Sequence, residues 1–145
     1  MLYQTENIQE LVALYSIASL FFNPTYEDNF PTTNIEALAC GTPILTYDTG
    51  GSPEAVLSPQ VGRVIKKDNT SEIDIPLVKN AIEEMIKMLY PYISEENRDT
   101  DNSLTAYDKY GKDYTVRLRC REESEKFDMN HRLLEYISVY ESLKE

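Results

Sequence analysis

Residues 26–54 read YEDNFPTTNIEALACGTPILTYDTGGSPE, and this stretch decides the fold class. A polar loop precedes a short helix predicted over residues 33–40, and Gly41 follows at the position where a left-handed residue ends many helices. Residues 43–47 form a short apolar run of the kind that is typical of a buried strand. The Gly-Gly-Ser-Pro-Glu sequence at residues 50–54 predicts a turn into a helical stub. The stretch therefore predicts loop, helix, strand and turn in that order.

Elements of the same kind flank this stretch. Residues 7–17 place apolar side chains on one helical face, with Asn7 as the N-cap. Residues 20–23 are a short run, mostly apolar, that Pro24 ends, and residues 62–66 predict a third strand. Alternation of helices with short buried strands is typical of a parallel sheet with right-handed crossovers. We therefore predict an α/β fold, with a Rossmann-like parallel sheet and flanking helices.

Residues 66–145 differ in character and are predicted to be mainly helical. Helices are expected over residues 74–90, about 110–124 and 130–144 from their apolar faces and caps. Residues 91–109 are polar and rich in acids, which predicts a mobile surface segment.

Length, charge and cysteine content exclude several classes of function. The 145 residues fit one domain. The 25 acidic against 14 basic residues give a net charge of −11, which excludes the electrostatic pattern of a nucleic-acid or anionic-membrane binder. Cys40 and Cys120 lack the neighbours of a zinc site, and no apolar run approaches the roughly 20 residues that cross a bilayer. We expect a cytoplasmic protein with reduced thiols and no transmembrane segment.

Most catalytic patterns are missing from the sequence. There is one histidine, His131, which we interpret as a surface residue, and there is no G-x-S-x-G elbow, Walker-A loop or H-E-x-x-H pair. Asp99 and Asp101 form an Asp-x-Asp pair, but no strand precedes it. We therefore predict no metal site.

The loop and helix at residues 27–36 form the candidate site. A helix that opens at Thr32 and Thr33 presents free backbone N–H groups and the positive end of its dipole, which suit a diphosphate. Glu36, about one turn into the helix, can accept hydrogen bonds from two vicinal hydroxyls.

Purely structural roles are the alternative for each of these residues. Asp28 or Asn29 could have no role beyond capping the loop, and Glu36 could have none beyond a charge that the helix dipole favours. Gly50 and Gly51 fit a plain turn as well as a close approach to a ligand.

The same stretch resembles the C-terminal, donor-binding half of the family-4 retaining glycosyltransferases of the GT-B fold. The signature of that family is Glu-x7-Glu, a small-residue helix ending in Ala-x-Gly-x-Pro, a strand and a Gly-Gly-x-x-Glu turn. Glu36 matches the second Glu, and Asp28 stands at the first position with Glu27 just before it. Pro31 stands where the family often has glycine, and residues 50–54 match the turn.

The resemblance implies a hexosyltransferase of glycan or polysaccharide biosynthesis that uses a UDP- or GDP-linked sugar with retention, and no metal or other cofactor. It implies Asp28 and Glu36 as the catalytic pair, with Asp28 at the hexose hydroxyls and Glu36 at the nucleotide ribose. The substrate-binding residues that it implies are Glu27, Asn29, Phe30, Pro31, Thr32, Thr33, Asn34 and Glu36.

The resemblance also implies parts that this sequence does not contain, namely an acceptor-binding domain and an upstream Arg/Lys pair that grips the diphosphate. Lys66 ends the third predicted strand and Lys67 follows it, so by position they cannot replace that pair. We therefore predict that residues 1–145 are one apparently truncated donor-binding domain, the partial C-terminal domain of a GT-B fold, with its signature part at residues 7–65.

This chain alone is expected to be inactive. Its expected partners are a nucleotide-sugar and either a separate N-terminal acceptor domain or a second copy, paired through an exposed sheet edge at residues 20–23. The alternative is a non-catalytic module that binds a nucleotide-sugar or a partner subunit, or a product with neither role.

Overall fold

The computed structural model describes residues 7–66, 74–90 and 114–142. Asn7 and Asp74 cap the first and third helices with their side chains, as predicted. The elements are α1 Ile8–Ile17, β1 Phe21–Asn23, α2 Thr32–Ala39, β2 Ile44–Tyr47, a 3₁₀ helix Ser52–Ala55, β3 Gly62–Ile65, α3 Ile75–Leu89, α4 Tyr114–Glu125 and α5 Met129–Ser142. The predicted order of helices and strands is confirmed in these ranges.

Several predictions concern residues outside the described ranges. They are the segment 91–109 with its Asp99 and Asp101 pair, the start of the fourth helix at 110–113, the end of the fifth at 143–144, the side chain of His131, and Lys67. In the parts of the chain that are described, no helix has the length and apolar character needed to cross a membrane.

The three strands form one parallel sheet in the order β1-β2-β3. Phe21 of β1 pairs with Ile44 of β2, which in turn pairs with Gly62 of β3. This confirms the predicted Rossmann-like α/β fold. Because parallel strands end at the same edge of a sheet, the loops that follow β1 and β2 lie next to each other at the carboxyl edge.

Helices cover both faces of the sheet, because successive side chains of a strand point to opposite faces. Ile44 packs with Leu38 of α2 and Cys120 of α4 on one face. Leu45 packs with Met85 of α3 on the other. All four residues of β2 are buried, as expected for the central strand of a parallel sheet covered on two sides.

The end of α2 confirms the role predicted for Gly41. Its φ of 78° lies in the left-handed region that favours glycine. Its N–H donates to the carbonyl of Leu38 at 2.8 Å, and the N–H of Thr42 donates to that of Ala37 at 2.9 Å. These two bonds form a Schellman motif, which turns the chain from α2 directly into β2.

β1 lies at one edge of the described sheet, as predicted for residues 20–23, but its aromatic side chains are only partly exposed. Both phenylalanines are half-buried. Phe21 makes an edge-to-face contact with Tyr15 at 5.4 Å between ring centroids, and Phe22 makes one with Tyr47 at 5.9 Å. The side chains point into the two helical layers, so an edge position exposes the strand's backbone rather than its rings.

Candidate functional site

The acidic loop after β1 and the Gly-Gly turn after β2 are joined by hydrogen bonds. The N–H of Gly51 donates to the carbonyl of Asp28 at 2.9 Å. The hydroxyl of Thr49 donates to the carbonyl of Thr25 at 3.0 Å. The two signature segments that the sequence separates by about 20 residues therefore form one surface at the carboxyl edge of the sheet.

Gly50 and Gly51 are required because the two backbones approach closely. A Cβ atom on Gly50 would lie 2.1 Å from the carbonyl oxygen of Asp28, and one on Gly51 would lie 1.9 Å from that of Asn29. Gly50 also has a φ of 53°. A plain turn would not require glycine at both positions. The close approach at these glycines is to the acidic loop of the protein itself.

Asn34 fixes the start of α2 from inside the protein. Its side chain is fully buried. Its Oδ1 accepts from the amide of Asn23 at 2.9 Å, and its Nδ2 donates to the carbonyl of Ser52 at 3.3 Å. The Asn34 side chain, assigned from the signature to substrate binding, therefore contacts protein groups from β1 and the 3₁₀ helix.

The first turn of α2 offers two backbone donors. Pro31 is the N-cap and gives no side-chain hydrogen bond, and the N–H of Asn34 donates to the Pro31 carbonyl at 3.1 Å. Thr32 and Thr33 are exposed. Within the described part of the chain, no acceptor is bonded to their N–H groups. The first turn of α2 thus leaves the N–H groups of Thr32 and Thr33 without a protein acceptor in the ranges that are described, whereas that of Asn34 is bonded to Pro31.

The acidic side chains of the loop lie together. An open cavity of about 690 Å³ is lined by Tyr26, Glu27, Asp28, Asn29 and Gly50. Asp28 is partly buried there, and its Oδ1 accepts from the N–H of Phe30 at 3.0 Å. That bond holds the carboxylate beside the loop backbone and commits the Phe30 N–H to the protein.

Glu36 has a partner that the sequence analysis missed. The hydroxyl of Tyr15 donates to its Oε2 at 3.3 Å. Burial, followed by the charge and hydrogen bond of Glu36, raises the pKa of Tyr15 to about 12, so the hydroxyl remains a donor at neutral pH. The helical pattern placed Tyr15 on the inner face of α1, but a single sequence carries no signal that pairs two residues 21 positions apart.

The predicted site residues divide into three groups. Glu27, Asp28 and Asn29 share the cavity beside Gly50. Thr32, Thr33, Asn34 and Glu36 lie along α2, and Pro31 is its N-cap. Phe30 lines a second cavity with Glu54 and residues of α5.

The two cysteines are buried and free. Burial is the main cause that raises the pKa of both thiols, to about 12 for Cys120. Neither thiol is therefore activated as a nucleophile. In residues 7–66, 74–90 and 114–142, no three histidine, cysteine or acidic side chains are grouped to hold a metal ion.

Comparison with known proteins gives the family. Residues 2–98, about two thirds of the 145, match the family described as Glycosyl transferases group 1. The chain belongs to this family. The resemblance to glycosyltransferases is thereby confirmed at the level of the group 1 family.

Individual relatives match a shorter stretch. The chain is 36% identical over 64 residues to a D-inositol 3-phosphate glycosyltransferase of Corynebacterium jeikeium, covering 44% of this chain and 15% of that protein. It is 36% identical over 63 residues to one of Streptomyces bingchenggensis, covering 43% and 14%. It is 37% identical over 57 residues to one of Mycobacterium sp. strain KMS, covering 39% and 13%. The match thus spans only about 15% of these relatives' length.

Proposed function

We propose that this domain binds the nucleotide-sugar donor of a retaining hexosyltransferase of the GT-B fold, with UDP or GDP as the nucleotide. The contact between Asp28 and Gly51 carries the proposal, because it assembles the two signature segments at the carboxyl edge of a parallel sheet. Ligands of open α/β sheets bind at that edge. Membership of a glycosyltransferase family supports glycosyl transfer as the class of reaction.

The diphosphate is assigned to the start of α2. The N–H groups of Thr32 and Thr33 and the helix dipole favour an anion there. This local field acts against a protein net charge of −11. Since charge-assisted hydrogen bonds contribute about 1.5–3 kcal/mol each, two of them support affinity in the millimolar range.

The ribose is assigned to Glu36. Its side chain is exposed, and Tyr15 donates to Oε2 only. Among the described residues, Oε1 has no partner. Because a carboxylate has acceptor sites on both oxygens, Glu36 can accept from two vicinal hydroxyls while Tyr15 fixes its orientation.

The hexose is assigned to Asp28 in its open cavity. Its carboxylate is available on the side away from the N–H of Phe30. Departure of the nucleoside diphosphate is assisted by the donors of α2, which face the position where negative charge develops. The acceptor is assigned to a further domain, from the same or another polypeptide, and the reaction to glycan or polysaccharide synthesis in the cytoplasm.

Calorimetric titration with UDP, GDP and UDP-glucose tests this proposal. We expect millimolar binding of one nucleotide, at least 10-fold weaker binding by Glu36→Gln, and loss of the preference for UDP-glucose over UDP in Asp28→Asn. Glu84→Gln removes another exposed helical carboxylate, from α3, and should bind as the wild type does. Equal affinities of Glu36→Gln and Glu84→Gln would contradict the ribose assignment.

Glycosyl transfer separates the enzyme from a binding module. The domain is mixed with the acceptor-binding domain of a group 1 glycosyltransferase and a labelled nucleotide-sugar, with and without EDTA. Transfer that EDTA leaves unchanged supports the proposed mechanism. Donor binding without any transfer would support a non-catalytic module instead.

A further inference from the structure

The cavity beside Phe30 is separate from the one that contains Asp28. Its volume is about 480 Å³, within the range of small-molecule sites, and it lies between the acidic loop, the 3₁₀ helix and α5. Three aromatic rings and three charged groups account for most of its lining: Phe30, Phe127, Tyr136, Glu54, Arg132 and Glu135.

The aromatic side chains give the cavity an apolar floor. The rings of Phe30 and Phe127 lie 5.8 Å apart between centroids and are inclined by 49°. Phe30 and Tyr136 are exposed, so their rings are accessible to a ligand. The faces of aromatic rings carry partial negative charge, which attracts the partially positive C–H groups on the apolar face of a pyranose.

The charged side chains supply both donors and acceptors. Arg132 donates through Nη1 to Oε2 of Glu135 at 2.7 Å, and its Cζ lies 5.8 Å from the centroid of the Phe127 ring. These contacts orient the guanidinium, which has five N–H donors, and leave donors for a ligand. Glu54 and Glu135 add acceptors. Sugar hydroxyls both donate and accept, so they match this mixture better than a simple anion or an apolar ligand does.

We propose that this cavity binds a pyranose ring. Phe30, two residues after Asp28, connects it to the cavity assigned to the donor hexose. Saccharide binding at this cavity does not depend on the proposed donor function.

The test is a titration of the whole chain with methyl α-glucopyranoside and with maltose, in which ligand-detected NMR measures the binding. A ligand of this size is expected to bind with a Kd of about a millimolar. Sorbitol, a linear polyol, should bind at least 10-fold more weakly because it has no ring face. Absence of saccharide binding, or equal binding of sorbitol, overturns the proposal.

Variants locate the site. Arg132→Ala and Tyr136→Ala change exposed side chains and should each weaken saccharide binding at least 10-fold, with melting curves as the check on folding. Leu134→Ala is the matched control, since Leu134 is 65% exposed on the same helix and does not line the cavity. Equal affinities of Arg132→Ala and Leu134→Ala overturn the proposal.

UDP binding by the same proteins keeps the two proposals apart. Arg132→Ala should retain it, and Glu36→Gln should lose it while retaining saccharide binding. A wild-type chain that binds saccharide but no nucleotide contradicts the donor function and supports the cavity as a saccharide site alone.

Discussion

The loop between β1 and α2 is held by hydrogen bonds from its neighbours, whereas the helix α5 leaves most of its large apolar side chains exposed. The loop and the first turn of α2 are held by hydrogen bonds from β1, the Gly-Gly turn and the 3₁₀ helix. Six large apolar side chains of α5 are at least 44% exposed: Met129, Leu133, Leu134, Tyr136, Ile137 and Val139. Where polar contacts converge from several elements, the chain specifies a site geometry. An amphipathic pattern alone specifies a helix.

Gly51→Ala should have the largest effect on the loop. The added Cβ would lie 1.9 Å from the Asn29 carbonyl oxygen, so one of the two backbones must move. We expect the free energy of unfolding to fall by about 2–3 kcal/mol and nucleotide binding to be lost. Urea denaturation and calorimetry measure the two effects.

Gly41→Ala is the control for that change. Gly41 has a positive φ, but it lies at the opposite end of α2 from the loop. The variant should lose about 1–2 kcal/mol of stability through backbone strain and keep its nucleotide affinity. If Gly51→Ala kept its affinity as well, the loop geometry would not depend on the glycine contact.

Asn34→Ala should have the next largest effect. It leaves the buried amide of Asn23 without its acceptor and the Ser52 carbonyl without a donor. We expect a loss of about 2 kcal/mol in the free energy of unfolding, measured with urea. Asn80→Ala changes an exposed asparagine of α3 and should stay within about 0.5 kcal/mol of the wild type. A similar small change in Asn34→Ala would mean that the buried amide contacts do not hold the loop.

Tyr15→Phe should have the smallest effect. Removing one hydroxyl from Glu36 should lower nucleotide affinity about 3-fold and stability by less than about 1 kcal/mol at pH 8.

The pH dependence of this variant follows from the raised pKa of Tyr15, about 12 in the folded chain against 10.0 ordinarily. From pH 10 to 12 the unfolded chain loses this proton first, so the wild type loses stability relative to Tyr15→Phe as pH rises. Urea denaturation at pH 8 and pH 11 measures the difference. The same difference at both values would show that folding does not raise the pKa of Tyr15.

The elements of the fold could be predicted because their ends carry local chemical signals. The side chains of Asn7 and Asp74 accept hydrogen bonds from backbone N–H groups two and three residues later in the chain. Gly41 adopts the left-handed conformation that ends a helix. The parallel sheet follows from the alternation of elements. Each of these signals lies within a few residues of the feature that it predicts.

The internal contacts of the site could not be predicted in the same way. Asn34 occupies a position in the signature, yet nothing in a single sequence shows that its side chain turns inward to Asn23 and Ser52. The hydrogen bond between Tyr15 and Glu36 joins two different helices, so no local sequence pattern predicts it either. The sequence predicts the candidate segment, whereas the packing of neighbouring elements decides which of its side chains turn inward and which are exposed.

Amide chemical shifts during a titration with UDP test the central claim most directly. The start of α2 is assigned to the diphosphate, so the signals of Thr32 and Thr33 should move first and furthest. Glu84 and its neighbours on α3 should not move, and Glu36→Gln should need at least 10-fold more UDP for the same shift. Shifts confined to α3 or α5, or no shift at millimolar UDP, would contradict a donor site at the loop between β1 and α2.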